Sequence, residues 1–242
     1  EDAFAVLSHN HYDHLDTWTV RRLPRSIPWF APLGLGRWLR EHGPAEVTEL
    51  DWWQSARHGR WTVTCLPAQH WSNRLGMARH STLWCGWLLD NGSRRYYFAG
   101  DTGWFHGFAE IGRRFAPIDV AFLPIGAYEP RWFMHPQHMN PEEAVRAHLD
   151  LAAETSIGIH HATIQLTDEG LDDPTTALGQ ARVQYHVGPD RFIVLDPGAG
   201  MQVRALASEP RPVRPRARAP MLMLLRSWMG AKEAATARWT PE

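Results

Sequence analysis

The chain has 242 residues, with 25 Lys and Arg against 26 Asp and Glu and a formal net charge of −1. That length can bury the core of one large domain or two small ones, and so balanced a charge argues against a nucleic-acid partner held by whole-surface electrostatics. No apolar run of about 18 residues occurs, which excludes a transmembrane helix in the residues given. What stands out is the content of 14 His and 13 Trp, and Lys232 as the only lysine among the basic residues.

In chain order, short strand-like runs alternate with helical ones, the pattern of an α/β fold. Residues 4–7 form an apolar run that leads directly into His9. Residues 29–39 hold an apolar cluster (Trp29, Phe30, Leu33, Leu35, Trp38, Leu39) that reads as an amphipathic helix on the core, or as the wall of a lipid groove. Residues 60–66 alternate around Trp61, Val63 and Cys65 as a half-buried strand. Residues 83–89 and 95–99 flank Asn91-Gly92, a strong hairpin signal. Cys65 and Cys85 lie in apolar surroundings with no CxxC pairing and read as buried structural thiols.

Residues 118–125 and 192–195 are further buried strands, and 201–204 could pair with the latter. Between them, Asn140-Pro141-Glu142-Glu143 predicts a capped helix: Asn at the N-cap, Pro in the first turn and Glu143 closing a capping box. A weaker helix runs over about 174–185. From 207 onward, Pro and Arg dominate as an extended linker, followed by a short apolar stretch at 221–229. That stretch is too short to span a bilayer and leaves peripheral membrane contact open.

The chemistry gathers at strand ends. His9, His11, Asp13 and His14 form H-x-H-x-D-H directly after the first apolar run. Imidazole and carboxylate are the ligands zinc takes, and a strand-to-loop turn can splay four such side chains toward two centres. Further donors follow later strands: His70 after 60–66, Asp101 in Gly-Asp-Thr-Gly after 95–99, and His160 after Ile159. Each lands where a buried strand runs out, as sites do in open α/β folds.

With these residues in hand, the chain resembles the metallo-β-lactamase-fold hydrolases. Within them it is similar to the N-acylphosphatidylethanolamine-hydrolysing phospholipase D family, as a bacterial-type member. The segments HNHYDHLD (9–16), PAQHWS (67–72), FAGDTG (98–103) and PIGAYEPRWFM (124–134) carry the likeness, with Gln137-His138 and Asn140-Pro-Glu-Glu-Ala144, in order as far as about Leu206.

The resemblance implies an αββα sandwich over residues 1–206 and two Zn2+ per chain. His9, His11 and His70 would bind one ion, Asp13, His14 and His160 the other, and Asp101 would bridge them. Asp13 and Asp101 then carry the catalytic role, and a hydroxide shared by the two ions is the nucleophile on a phosphodiester. Gln137 and His138 are expected to contact substrate, and Tyr128 and Arg131 to shape the pocket, with Arg131 meeting a phosphate. Trp132 and Phe133 read equally as pocket or core residues. Asp16 reads either as a group orienting a ligand His or as a helix N-terminal acid.

Two departures stand out. The family's animal members carry His-Trp-Gly-Thr where this chain has His160-His161-Ala162-Thr163, so a second His competes for the ligand role; His160 is favoured because it directly follows the strand. This fold also places several strands before H-x-H-x-D-H, whereas few residues precede His9 here. The chain therefore reads as lacking its first strands, with an exposed sheet edge that makes it aggregation-prone. The implied partner is a phospholipid, or alternatively a small soluble ester, lactone or phosphodiester. A third reading is an inactive metal-binding scaffold. A cytoplasmic location, peripheral at the inner membrane face, is the corresponding expectation, and pairing into a homodimer is left open.

Overall fold

The computed structural model describes residues 3–203; the linker and apolar stretch expected at 207–242 lie outside the described residues. The chain runs β1 (Ala5–Val6), α1 (Thr17–Arg22), β2 (Trp29–Pro32), α2 (Gly36–His42), β3 (Val47–Leu50), β4 (Ser55–His58), β5 (Trp61–Leu66), β6 (Gly86–Asp90) and β7 (Arg95–Phe98). It continues with α3 (Gly107–Phe115), β8 (Ile118–Pro124), α4 (Arg131–Met134), α5 (Pro141–Asp150), β9 (Ala153–Ile159), α6 (Asp173–Gln184) and β10 (Phe192–Val194).

These strands form two sheets. One has three parallel strands in the order β1-β2-β3, and the other has seven in the order β10-β9-β8-β7-β6-β5-β4. In the larger sheet β4 to β7 pair antiparallel and β7 to β10 pair parallel.

Three apolar clusters define the layers. Phe30 and Leu50 of the small sheet pack against Val63, Cys65 and Trp87 of the large one. Leu39 of α2 and Val20 of α1 cover the small sheet with Trp29 and Ala31. Phe108 and Ile111 of α3, Val145 of α5 and Leu178 of α6 cover the large sheet with Tyr97, Ala121 and Leu123. The order is helix, sheet, sheet, helix, the αββα sandwich.

Local sequence explains the boundaries that were foreseen. The Asn140 side chain accepts from Glu143 N–H (2.9 Å) while the Glu143 carboxylate accepts from Asn140 N–H (3.0 Å), the reciprocal box that starts α5. Gly92 turns the β6–β7 hairpin with φ +86°, a left-handed conformation that glycine tolerates. The carboxylate of Asp16 accepts from Thr19 N–H at 2.7 Å and caps α1, so Asp16 is the helix N-terminal acid. Cys65 and Cys85 are buried free thiols.

Other boundaries differ. The apolar cluster at 29–39 is not one helix: Trp29 and Phe30 belong to β2, and Leu39 to α2. A parallel strand with a neighbour on each side and both faces covered reads as a continuous apolar run, without a period of two. Trp29, Phe30, Leu35 and Leu39 are buried in the core, so they do not line a lipid groove. The strand expected from residue 83 starts at Gly86, because Leu83 N–H donates to Leu33 O and Cys85 N–H to Ser8 O, outside the ladder. Residues 201–203 form no strand; Val203 O instead accepts from the Arg94 guanidinium. No helix among the described residues is long and apolar enough to cross a membrane.

His148 on α5 is buried against Phe192, its Nδ1 2.8 Å from Ser156 Oγ of β9. Burial, with Arg191 nearby, pushes its pKa from 6.5 down to about 4. Below pH 6.5 the unfolded chain binds a proton that the folded chain refuses, so stability falls between pH 6.5 and about 4. We expect His148→Gln to melt lower than wild type at pH 7 but to lose less on acidification across that window. Parallel melting-temperature curves for the two proteins would refute this account.

Candidate metal centre

The larger sheet aims its donors at one edge. His70 follows β5, Asp101 follows β7 and His160 follows β9, while His9 to His14 leave β1 of the other sheet. Two glycines permit the approach. A Cβ on Gly100 (φ +62°) would lie 2.6 Å from Ser8 Cβ, and one on Gly126 would lie 2.2 Å from the His160 carbonyl. His160 itself has φ +59°, a strained conformation for a side-chain-bearing residue of the kind that clusters at functional sites.

The donors fall into two groups. His9, His11, His70 and Asp101 each bring one ligand atom within 4.8 Å of the others, and so do Asp13, His14, Asp101 and His160. In the first group, His11 Nδ1 lies 2.9 Å from His9 Nε2 and 3.2 Å from His70 Nε2. Asp101 Oδ2 lies 3.7 and 3.8 Å from those two Nε2 atoms. In the second, His14 Nε2 lies 3.0 Å from Asp101 Oδ2 and 3.2 Å from Asp13 Oδ2. His160 Nε2 lies 3.4 Å from Asp13 Oδ2 and 3.5 Å from Asp101 Oδ1. His160, rather than His161, belongs to this group.

This donor set fits divalent cations. Two imidazole nitrogens, of His9 and His70, lie at hydrogen-bond range of a third, His11 Nδ1, an arrangement that suits a cation among their lone pairs. His11 Nε2 and Asp101 Oδ1 are buried with no hydrogen-bond partner. The far nitrogens of two rings are anchored, His9 Nδ1 to Ser8 Oγ (3.0 Å) and His70 Nδ1 to the Gln137 carbonyl (3.1 Å). Such outer partners fix the tautomer of a metal-binding imidazole.

The electrostatics point the same way. Burial would raise Asp101, but His160 and the hydrogen bond from His14 outweigh it and hold the carboxyl well below its usual range. Burial would lower His14, yet Asp101 and Asp13 push it up to about 10. Burial and neighbouring histidine charge depress His9, whereas for His70 burial dominates over the opposing pull of Asp101. A field that holds a proton on a buried imidazole also favours a divalent cation.

The expected substrate contacts sit around this centre unevenly. The His138 ring lies 5.1 Å from that of His70 and 5.6 Å from that of His160, with Nδ1 buried and unpartnered. Gln137 contributes its carbonyl to His70, while its side chain donates to Phe133 O. The Arg131 guanidinium donates to the carbonyls of Tyr128 (3.3 Å) and His138 (3.0 Å) and to Glu143 Oε2 (2.7 Å). It thereby braces the His138 loop on the capping box of α5. Tyr128 is buried, its N–H donating to Glu169. Trp132 is 83% exposed and Phe133 40% exposed, so neither is a core residue.

Sequence reasoning missed Arg74. It is buried, with Nη1 donating to Asn10 O (3.2 Å) and Nη2 to Thr17 Oγ1 (3.0 Å). Its guanidinium stacks on Tyr12 (4.3 Å) and Trp38 (4.8 Å), a cation–π arrangement. Asn10 Oδ1 also accepts from Asn73 N–H at 2.9 Å. The loop bearing His9, His11, Asp13 and His14 is thus clamped from the segment after His70. Only the position of Arg74 four residues after a candidate ligand hinted at this.

Comparison with known proteins agrees with the geometry. The family model described as the Beta-lactamase superfamily domain matches residues 3–161. The chain belongs to the metallo-β-lactamase superfamily. It is 47% identical over 174 residues to N-acyl-phosphatidylethanolamine-hydrolyzing phospholipase D 1 of Caenorhabditis elegans, covering 66% of this chain and 49% of that protein. To the mitochondrial enzyme named for the same activity in Saccharomyces cerevisiae it is 34% identical over 185 residues, covering 72% of this chain and 39% of that one. The chain thus spans half or less of the length of these two relatives. Among solved structures, a metallo hydrolase from Ignicoccus hospitalis superposes with a TM-score of 0.62 at 22% identity, covering 82% of this chain and 78% of that one. The chain shares the fold of that metallo hydrolase.

Replacing Arg74 with Ala removes the clamp on the loop of candidate ligands without touching a candidate ligand. We expect metal affinity, measured by competition with a chromophoric chelator, to fall about ten-fold or more while the far-ultraviolet circular dichroism is retained. Unchanged affinity in a folded Arg74→Ala protein would rule out this role.

Proposed function

We propose that this chain is a zinc-dependent phosphodiesterase of phospholipase D type, with residues 1–206 as its hydrolase domain. It cleaves N-acylphosphatidylethanolamine to phosphatidic acid and an N-acylethanolamine. The observation that carries this reading is the pair of four-donor groups sharing the buried Asp101. It is supported by the similarity to two proteins named for that hydrolysis. Such a substrate asks for contact with a lipid surface.

Imidazole and carboxylate donors without thiolate suit two Zn2+. His9, His11 and His70 would hold one, Asp13, His14 and His160 the other, with Asp101 between them. When bound, such a pair supplies Lewis acidity to phosphoryl oxygens and lowers the pKa of water toward neutrality.

The chain's own residues do the rest. Asp101 forms the floor, its side chain 3% exposed, and Asp13 stands at the mouth at 39%. The substrate phosphate therefore enters past Asp13. His138, held by Arg131 through its carbonyl, presents a buried and unpartnered Nδ1 as a hydrogen-bond position for a phosphoryl or leaving oxygen. In the net reaction, water oxygen bonds to phosphorus, the bond from phosphorus to the ethanolamide oxygen breaks, and a water proton passes to that oxygen.

The test combines metal counting with lipid turnover on the full chain. We expect two zinc ions per chain, about one in His70→Ala and fewer than one in Asp101→Ala. Phosphatidic acid release should occur in the wild type and vanish in Asp101→Ala. Turnover of soluble diesters or lactones without any lipid cleavage would overturn the lipid reading in favour of a small-molecule hydrolase. A metal-loaded protein inert toward all of them would point to a binding scaffold.

A further inference from the structure

Beside the His/Asp groups the surface opens into a cleft of about 230 Å3, one end of which is formed by Asp13, His14 and His160. The remaining wall is largely apolar and comes from the segment after His160, with Ala162, Ile164, Leu166 and Leu171, together with Ala127 and Pro174. Ile164 is 66% exposed, Leu166 53% and Leu171 45%. Large aliphatic side chains gathered in one concave wall and left in water mark a surface that something apolar covers.

The wall is built and fixed. The Glu169 carboxylate accepts from the N–H groups of Ala127 (2.6 Å), Tyr128 (3.2 Å) and Glu129 (3.0 Å) and from the Thr167 hydroxyl (2.7 Å). It ties the loop after β8 to the loop before α6, which are the two sides of the cleft. Burial opposes its charge, but these hydrogen bonds hold the carboxyl below its ordinary value. The charged end and the aliphatic wall therefore belong to one preformed cavity.

We infer that this cleft seats a single acyl or alkyl chain of an amphiphile whose phosphate end lies at the His/Asp centre. The inference rests on the phosphodiesterase reading above and deepens it. With divalent cations held by the His/Asp groups, a phosphate suits that end of the cavity, and a hydrocarbon chain is the attachment that covers Ile164, Leu166 and Leu171. A volume of about 230 Å3 holds about eight water-sized groups in all, the phosphate end included, so the cleft takes one short alkyl segment and not two chains. The expected groove at residues 29–39 is core, and this cleft takes its place.

Binding of n-alkyl phosphates from ethyl to decyl to the zinc-loaded full chain tests this without turnover. Affinity should rise about two- to four-fold per methylene and level off before decyl, once the cleft is filled. Ile164→Gln/Leu166→Gln should flatten that slope and weaken decyl phosphate about ten-fold or more, with ethyl phosphate unchanged. Leu149→Gln, an exposed leucine of α5 outside the cleft, should keep the slope. A wild type without a slope, or a double variant with an unaltered one, would overturn the assignment. Lipid hydrolysis is scored separately. An intact slope without lipid cleavage leaves the chain-binding cleft standing and removes the substrate reading, whereas lipid cleavage without a slope does the reverse.

Discussion

One buried carboxylate organises this protein. Asp101 is 4% exposed, and its Oδ1 has no hydrogen-bond donor. An isolated carboxylate in that position costs several kcal/mol even after relaxation, so the surrounding groups must compensate it. The imidazoles of His9, His14, His70 and His160 all lie within 3.8 Å of its oxygens. They arrive from three separate stretches of sequence, and Asp101 from a fourth. The charge is compensated only when both sheets and the turns at their shared edge are in place. The centre therefore exists only in the folded arrangement, and a cation bound there adds directly to the stability of the folded chain.

Loops carry the donors, yet they are held by a repeated device. A charged side chain reaches across and takes the backbone polar groups of a loop at the site. Arg74 does this for Asn10, Arg131 for Tyr128 and His138, and Glu169 for Ala127 to Glu129. Hydrogen bonds with one charged partner are stronger than neutral ones, and each brace offsets its own burial by making several. The result is asymmetric. Behind the centre, the loops are clamped, whereas in front Ile164 and Leu166 project into solvent. A rigid donor set beside an apolar rim is an arrangement in which one fold can serve many substrates by changing the rim's side chains.

What could be read from the sequence follows from the range of the interactions involved. H-x-H-x-D-H, the Asn91-Gly92 turn and the Asn140 to Glu143 capping box are local: the residues that explain each lie within a few positions. His70, Asp101 and His160 were legible because each follows an apolar strand of its own. β2 was misread as helix because a doubly covered strand loses its period of two, and its cover comes from α2 and the other sheet. The braces were illegible for a simpler reason. Arg74 and Asn10 are 64 residues apart, and Glu169 and Ala127 are 42. A surface arginine and a buried clamp look alike until the partner is in view. Arg131 shows the same limit, since its phosphate-like partner is Glu143.

Strand direction accounts for the convergence that sequence distance hides. β6 runs antiparallel to both β5 and β7, so β5 and β7 share a direction, and β8 and β9 continue it. Every chain exit from these four strands lies on one edge, where open α/β sheets collect their ligands. His70, Asp101, the loop through Tyr128, and His160 are those exits. The antiparallel strand between them is not wasted. Because β6 starts at that edge, Cys85 just before it can donate its N–H to Ser8 O, and the Trp87 indole can donate to Leu7 O at 2.9 Å. The entry of one sheet's antiparallel strand thus pins the exit of the other sheet's first strand, immediately before His9. The H-x-H-x-D-H loop is placed over Asp101 by backbone topology before any side chain in it engages a ligand.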